Sequence, residues 1–389
     1  MEQTNNSPMA SVFVFTPHDI SSVQGTTEAY YVSRHFAKIF DTHIFGPLSS
    51  GIEGATVHSH PYSGLFGLLM INCIYLPYWI GLGMKERPEI IYTYRNVILP
   101  PIVLKMLFGA RVVCDLRVHP VEQPREFNDS SIKNRILVLS SFIGHRIVIK
   151  HSDVIITLSK PLKLKLAESF PIDEKDILIV PLGVDPEVFM PQSTEENKFT
   201  IAYMGSIKPI RGIEQVIRAL NELPEKYQRE VTFELFGSYE EHYAEEIEAL
   251  ANGGEYAVTW HGLIPHDEVP AQVGKADCAI SPLPPYDGFE VSSPAKIYEY
   301  LALGLPIIAT NITPHERILS HGQDSLLVSA DDPDKMAAAI ERLIKDESFR
   351  SSLSENARTK GIKNSWEKRI NTILMTIDDQ TDFNVDERF

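Results

Sequence analysis

The chain has 389 residues, enough for two domains, because single cores rarely grow past about 250–300 residues. Its 43% apolar and 23% charged content is that of an ordinary globular protein, and a net charge of −16 argues against a general nucleic-acid binder. Three scattered cysteines, Cys73, Cys114 and Cys278, argue against a disulfide framework and for a reducing compartment, and no Cys/His cluster has zinc-like spacing.

The polar start "MEQTNNSPMA" has no basic n-region and reads as no signal peptide. "ASVFVFTP" (Ala10 to Pro17) is apolar and β-branched or aromatic, which predicts a buried first strand. "GTTEAYYVSRHFAKIF" (Gly25 to Phe40) predicts a helix that Thr27 can cap, with an apolar face of Tyr30, Tyr31, Phe36, Ile39 and Phe40. Leu65 to Met84 carries 20 residues without a charge, long enough to span a bilayer. Asn72, Pro77 and three glycines weaken a lone spanning helix, so a buried or membrane-surface helix pair is expected. "EIIYTY", "ARVVCDL", "DVIITLS" and "DILIVPLGV" predict further strands between Glu89 and Val184, with helices between them. Such alternation with apolar strands implies a parallel sheet covered on both faces.

The pattern restarts after "PEVFMPQSTEENK", which places a domain boundary near Gln192. "FTIAYMGSI", "VTFELFG", "AVTWHG", "CAISPL", "LPIIAT" and "SLLVSA" form the second strand set, between Phe199 and Ala330. The pattern gives two doubly wound α/β domains, residues 1–191 and residues 192–365. The crevice between them is the default site. An amphipathic helix over 366–380 is expected to pack back on the first domain, and the acidic tail 381–389 is expected to be flexible.

Charge is uneven. Residues 60–170 hold 14 Lys and Arg against 8 Asp and Glu, whereas residues 171–389 hold 20 against 39. A basic region in an acidic chain points to an anionic partner for the first half, although chance unevenness reads the same way.

"VSSPAKIYEYLALGLPIIATN" (Val291 to Asn311) carries chemistry. Ser292 or Ser293 can cap a helix whose first turn takes Pro294. Ile297, Tyr300 and Leu301 make an apolar stripe, Gly304 fits the C-terminal cap, and Pro306 opens a strand. Ser293, Lys296 and Glu299 stand at i, i+3 and i+6 on a second, polar face. A helix start with free N–H groups suits a phosphate, and Glu299 lies roughly 9 Å further along, about the span to a ribose. A carboxylate there can accept both ribose hydroxyls. A capped surface helix with an ordinary Lys–Glu pair fits the same residues. "YMGSIKPIRGIEQVIRAL" (Tyr203 to Leu220) adds a glycine turn and a basic loop, where Lys208 and Arg211 can reach a diphosphate. It lacks the Gly-Lys-Ser/Thr ending of a Walker loop.

These residues resemble the retaining, nucleotide-sugar-dependent glycosyltransferases of family 4, the glycosyl transferases group 1 domain with the GT-B fold. The resemblance runs from Val12 to about Ile377. Ser293 to Ala309 matches the family's "SPxKxxEYxAxGxPxxA" signature, in which the residue matching Glu299 binds the donor ribose and the loop matching Ser292 to Pro294 meets the diphosphate. Gly205 to Gly212 matches its "GxxxxxKG" loop, with Arg211 at the diphosphate-binding lysine position and Ser206 where many members carry arginine. The turns at Gly237 and at Gly262 with Leu263 match those near the donor base, and Gly25 matches the first-domain glycine loop. The E-x7-E pattern is incomplete, since Val291 stands at the first glutamate position and Glu290 is one residue off. The family histidine at the end of the fourth strand aligns with Arg117, with His119 two residues later; either residue could hold the donor sugar or the leaving phosphate.

The resemblance implies an α/β enzyme of two Rossmann-like domains facing across a cleft. It would be a hexosyltransferase-type transferase (EC 2.4) acting on a nucleotide-diphosphate sugar. It implies no metal and no cofactor, and a front-face reaction in which the leaving phosphate takes the acceptor's proton. "DDPD" (Asp331 to Asp334) is not a metal motif and reads as a helix cap. The acceptor would be a glycan or a lipid-linked group in polysaccharide or glycoprotein glycan biosynthesis. Residues 130–150 interleave Lys133, Arg135, Arg146 and Lys150 with apolar residues, as a cytoplasmic enzyme peripheral on the inner membrane face would. Two buried helices with snorkelling basic ends fit as well. Two other classes are compatible: a non-catalytic nucleotide-sugar-binding relative, and a sugar-nucleotide epimerase of the same fold.

Overall fold

The computed structural model describes residues 10–21, 27–94, 96–119, 132–193 and 198–379. Gly25 and the tail 381–389 lie outside the described residues. Contacts divide the chain into two units. The first runs to Pro181 and resumes at Arg369; the second is Leu182–Lys368. The break falls ten residues before the expected boundary, and the reason is local. Phe189 is buried in the second unit's core, and Arg358 donates to the carbonyls of Pro186 and Phe189. Val184 pairs with Ser365, and Trp366 N–H donates to the Val184 carbonyl at 2.9 Å. The segment after Pro181 is therefore anchored in the second unit.

Among the described residues the first unit holds seven strands: β1 (Ser11–Phe15), β2 (Asp41–Gly46), β3 (Ala55–Ser59), β4 (Ile90–Tyr94), β5 (Arg111–Asp115), β6 (Val154–Thr157) and β7 (Ile177–Ile179). All pair parallel, in the order β3-β2-β1-β4-β5-β6-β7. β1 and β4 are buried throughout, as their unbroken apolar runs require. β2 and β3 are additions to the strands expected from sequence. β3 is half-exposed at the sheet edge, and its Thr56 and His58 give no apolar run to read.

The uncharged stretch folds as Gly64–Leu69, a π-helical turn Met70–Ile74, and Leu76–Glu86. The two arms bend by 53°, and among the described residues no single helix is long and apolar enough to cross a membrane. Ile71, Trp79 and Gly83 face the core. Leu65, Phe66, Leu69 and Met84 are exposed, Leu65 at 63%. Asn72 explains its own presence in this apolar run. Its Oδ1 accepts from the N–H groups of Ile98 (2.7 Å) and Leu99 (3.0 Å), which open the Leu99–Phe108 helix.

The second unit holds six parallel strands: β8 (Phe199–Met204), β9 (Val231–Phe236), β10 (Ala257–Gly262), β11 (Cys278–Ser281), β12 (Ile307–Thr310) and β13 (Ser325–Val328). Their order is β10-β9-β8-β11-β12-β13. The Ile213–Glu222 helix buries Ile213, Val216, Ile217 and Leu220 against this sheet, an i, i+3, i+4, i+7 stripe. The strand order reverses between β8 and β11, and between β1 and β4 in the first unit. Ligand crevices in open α/β sheets form at the carboxyl ends of strands flanking such a reversal.

Candidate functional site

The β8 end of the second unit gathers most of the residues that the sequence singles out. β8 leaves the sheet through Gly205 at φ 132°, where a side chain would meet the Lys296 ammonium at 2.9 Å. Gly205 N–H donates to the Phe236 carbonyl, and Gly237 N–H donates to the Gly262 carbonyl, each at 2.8 Å. A Cβ on Gly237 would lie 1.9 Å from the Gly205 carbonyl oxygen. The ends of β8, β9 and β10 are thus nested backbone to backbone, and glycine is what permits it. Gly212 stands at φ 75°, where a Cβ would strike the Pro282 carbonyl just beyond β11.

Two cations flank this turn. Lys296 Nζ lies 4.0 Å from the Tyr203 ring centroid. Burial, and then the charge of Arg211, pull its ammonium down to about 7. Arg211 sits on a 3₁₀ turn, Pro209–Arg211, donates from Nε to Ser206 Oγ at 3.2 Å, and lies over the Phe289 ring. Lys208 precedes that turn and is exposed, as is Leu263 after β10.

The helix after this loop runs Ala295–Ala302, with Pro294 at its N-cap position. The expectation of a serine cap is corrected. Among the described residues no side chain caps this helix; Ser292 Oγ turns back to the Phe289 carbonyl, and Ser293 Oγ accepts from Leu182 N–H and bonds Tyr298 Oη. Ile297 N–H already donates to the Pro294 carbonyl at 3.1 Å, and no side chain caps the helix start ahead of it. Glu299 is 7% exposed, and its Oε1 meets His266 Nε2 at 3.0 Å. Sequence reasoning misses His266, although it lies in the matched loop "GLIPHDEV". Behind the site, Ser281 Oγ and Thr310 hold His315, whose imidazole burial drives down to about 4, so it stays neutral. Glu290 Oε1 accepts from Thr313 Oγ1 at 3.2 Å.

Arg117 and His119 belong to the first unit, and both are buried. Arg117 is 4% exposed. Its Nε and Nη2 hold Asp115 at 2.5 and 2.9 Å, and Nη1 donates to the Val180 carbonyl at 2.7 Å. Burial works against its charge, and the Asp115 carboxylate outweighs this and raises its pKa. Arg117 is a brace between β5 and the end of β7. His119 is buried, with Nε2 3.0 Å from Ser169 Oγ and its ring against Phe170. Among the described residues, this unit has a cavity of about 710 Å³ at the carboxyl ends of β1, β2 and β3, lined by His18, Asp19, Ser49, Ser59, His60 and Asn96 among others.

The glycosyl transferases group 1 profile matches residues 185–360. An uncharacterized glycosyltransferase of Methanocaldococcus jannaschii is 22% identical over 254 residues, 62% of each chain. The MMP alpha-(1->4)-mannosyltransferase of Mycolicibacterium hassiacum is 26% identical over 216 residues, 55% of this chain and 51% of that one. The chain thus spans between about half and three-fifths of the length of these curated relatives. Among solved structures, sucrose-phosphate synthase of Thermosynechococcus elongatus aligns over 95% of this chain and 98% of its own, with TM-score 0.71 and 15% identity. Anabaena HepE in complex with UDP aligns over 95% and 100%, with TM-score 0.71 and 14% identity. The nested glycine turns, their two cations and the uncapped helix all lie within residues 185–360, the region that matches the glycosyl transferases group 1 profile, and the chain has a GT-B fold.

Proposed function

We propose that this chain is a retaining glycosyltransferase that moves a sugar from a nucleotide-diphosphate sugar to a lipid-linked acceptor. The observation that carries the donor half is the convergence of Arg211 and Lys296 on the Gly205–Ser206 turn, one helix start away from Glu299. A departing nucleotide diphosphate develops negative charge. Arg211, Lys296 in its protonated form and the amides at the helix start oppose that charge. Glu299 is the ribose acceptor, and His266 holds its carboxylate in place until the ribose arrives. Solved HepE structures contain UDP and UDP-glucose, which supports a nucleotide-sugar donor here.

The acceptor half rests on the first unit. Gly64 and Leu68 line its cavity, while Leu65, Phe66 and Leu69 of the same helix stand exposed beside it. On the Ile132–His151 helix, exposed Leu139, Ile143 and Ile147 run beside exposed Arg146 and Lys150. A cavity with polar groups beside exposed apolar side chains, on a unit that also exposes Arg146 and Lys150, suits a polar headgroup drawn from an anionic lipid surface.

A thermal-shift panel of uridine, guanosine, adenosine and thymidine diphosphates tests the donor half. One nucleotide should stabilise the wild type, by about 2.7 kcal/mol at 100 times its Kd, and fail to stabilise Glu299→Ala. No stabilisation by any of the four would count against the reading.

A further inference from the structure

Away from both sites, we propose that Asp41, His43 and Glu86 form a binding site for a divalent transition ion of the Zn²⁺ class. One ligand atom from each lies within 4.8 Å of the others. Asp41 and His43 sit two residues apart on β2 and therefore share a face of the strand. Glu86 is the last residue of the Leu76–Glu86 helix.

The independent sign is His43 itself. Its side chain is more than nine-tenths buried, and its Nε2 has no hydrogen-bond partner among the described residues. That nitrogen lies 3.6 Å from Asp41 Oδ1, too far for a hydrogen bond. The other ring nitrogen is fixed from behind. Nδ1 meets His58 Nε2 at 3.0 Å with the two rings nearly coplanar, and His58 Nδ1 meets Tyr78 Oη at 2.8 Å. In the tautomer whose Nδ1–H donates to His58 Nε2, Nε2 presents a lone pair toward two carboxylates, and a bound ion would select that tautomer. Three acceptors facing one point are short of a cation. An imidazole oriented by a hydrogen bond behind it and joined by carboxylates is how protein zinc ligands are set.

The present counter-charge is weaker than an ion would be. The Lys85 ammonium rests on Glu86 Oε1 at 2.6 Å, but its side chain is 78% exposed and able to swing away. Asp41 is half-exposed, so its carboxylate can close the remaining distance. Mixed nitrogen and oxygen donors favour Zn²⁺, Co²⁺ or Mn²⁺ over Ca²⁺. Three protein ligands leave a position for water. A bound ion would clamp the end of the helix that bears exposed Tyr78 and Met84 to the sheet.

The test uses the untagged full chain, stripped with chelator and titrated with Zn²⁺ by calorimetry. The wild type should bind one ion with a rise in Tm, and exchange of amides over 76–86 should slow. Asp41→Asn/Glu86→Gln should bind at least tenfold more weakly at that site and lose the Tm rise. Both residues are exposed or near the surface, so the variant should fold, which its unaltered metal-free Tm would show. Lack of saturable Zn²⁺ binding by the wild type would overturn the proposal. Equal binding by the variant would do so too, because the ion would then sit on other histidines.

Discussion

A lysine ammonium in water titrates near 10.4, while burial and Arg211 hold that of Lys296 near 7. A diphosphate at the Gly205 turn would favour the charged form and raise that value. Between the free and the raised value, binding then takes up a proton. Affinity for the nucleoside diphosphate should be flat below about pH 7 and fall as pH rises above it, approaching tenfold per unit. Calorimetry in buffers of different ionisation enthalpy should register the proton at pH 8, and Lys296→Met should lose it. Arg117 gives the opposite kind of prediction. Removing it leaves Asp115, which is 0% exposed, as an unpaired buried charge, which costs about 3–5 kcal/mol. Arg117→Ala should lower the unfolding midpoint of the first unit, while nucleotide affinity stays within a factor of two. Arg211 is legible because the sequence places it on the loop after β8, and Lys296 and Glu299 because it places them on the helix after Pro294, where the structure has them. His266 is not, because a single loop histidine has no periodic partner to mark it. The serine cap misleads because Ser293 commits its hydroxyl to Leu182, 111 residues away in the chain, a partner that local sequence cannot reveal.

At the scale of elements, the strands with unbroken apolar runs are legible and the edge is not. β8, with five buried residues in succession, can be read from "FTIAYM" alone. β3 has none fully buried, and it exists because β2 offers it a backbone ladder. The glycine turns that end β8, β9 and β10 differ in what they forbid. Gly237→Ala places a methyl group 1.9 Å from the Gly205 oxygen, so the turn must open. Gly262 is also left-handed, at φ 69°, but nothing lies within 4 Å of its would-be Cβ. Gly262→Ala should therefore cost only about 1–2 kcal/mol and leave nucleotide binding nearly intact. Gly237→Ala should cost more and weaken nucleotide binding tenfold or beyond. Thermal melts and nucleotide titrations on the two variants check both halves.

For the molecule as a whole, most of the exposed large apolar residues among the described ones lie in the first unit. Hydropathy marks the region, but it cannot say that Trp79 turns inward while Leu65 and Phe66 turn out. If these residues meet a lipid surface, the full chain should co-sediment with vesicles containing anionic lipid. Binding should fall several-fold in high salt, through screening of Arg146 and Lys150, and fall again in Leu65→Ser/Phe66→Ser. Neutral vesicles binding equally well would rule out the electrostatic part.

The first unit resumes at Arg369, after the second has been completed in the chain. Synthesis delivers residues in order, and domains usually fold in the order they emerge. Here the ribosome releases the whole of 182–368 before it releases the last helical segment of the first unit. The nucleotide-binding half can therefore close during translation, while the apolar-faced half waits for the C-terminal helix. A chain arrested before residue 369 should already bind the nucleotide and still lack a finished first unit.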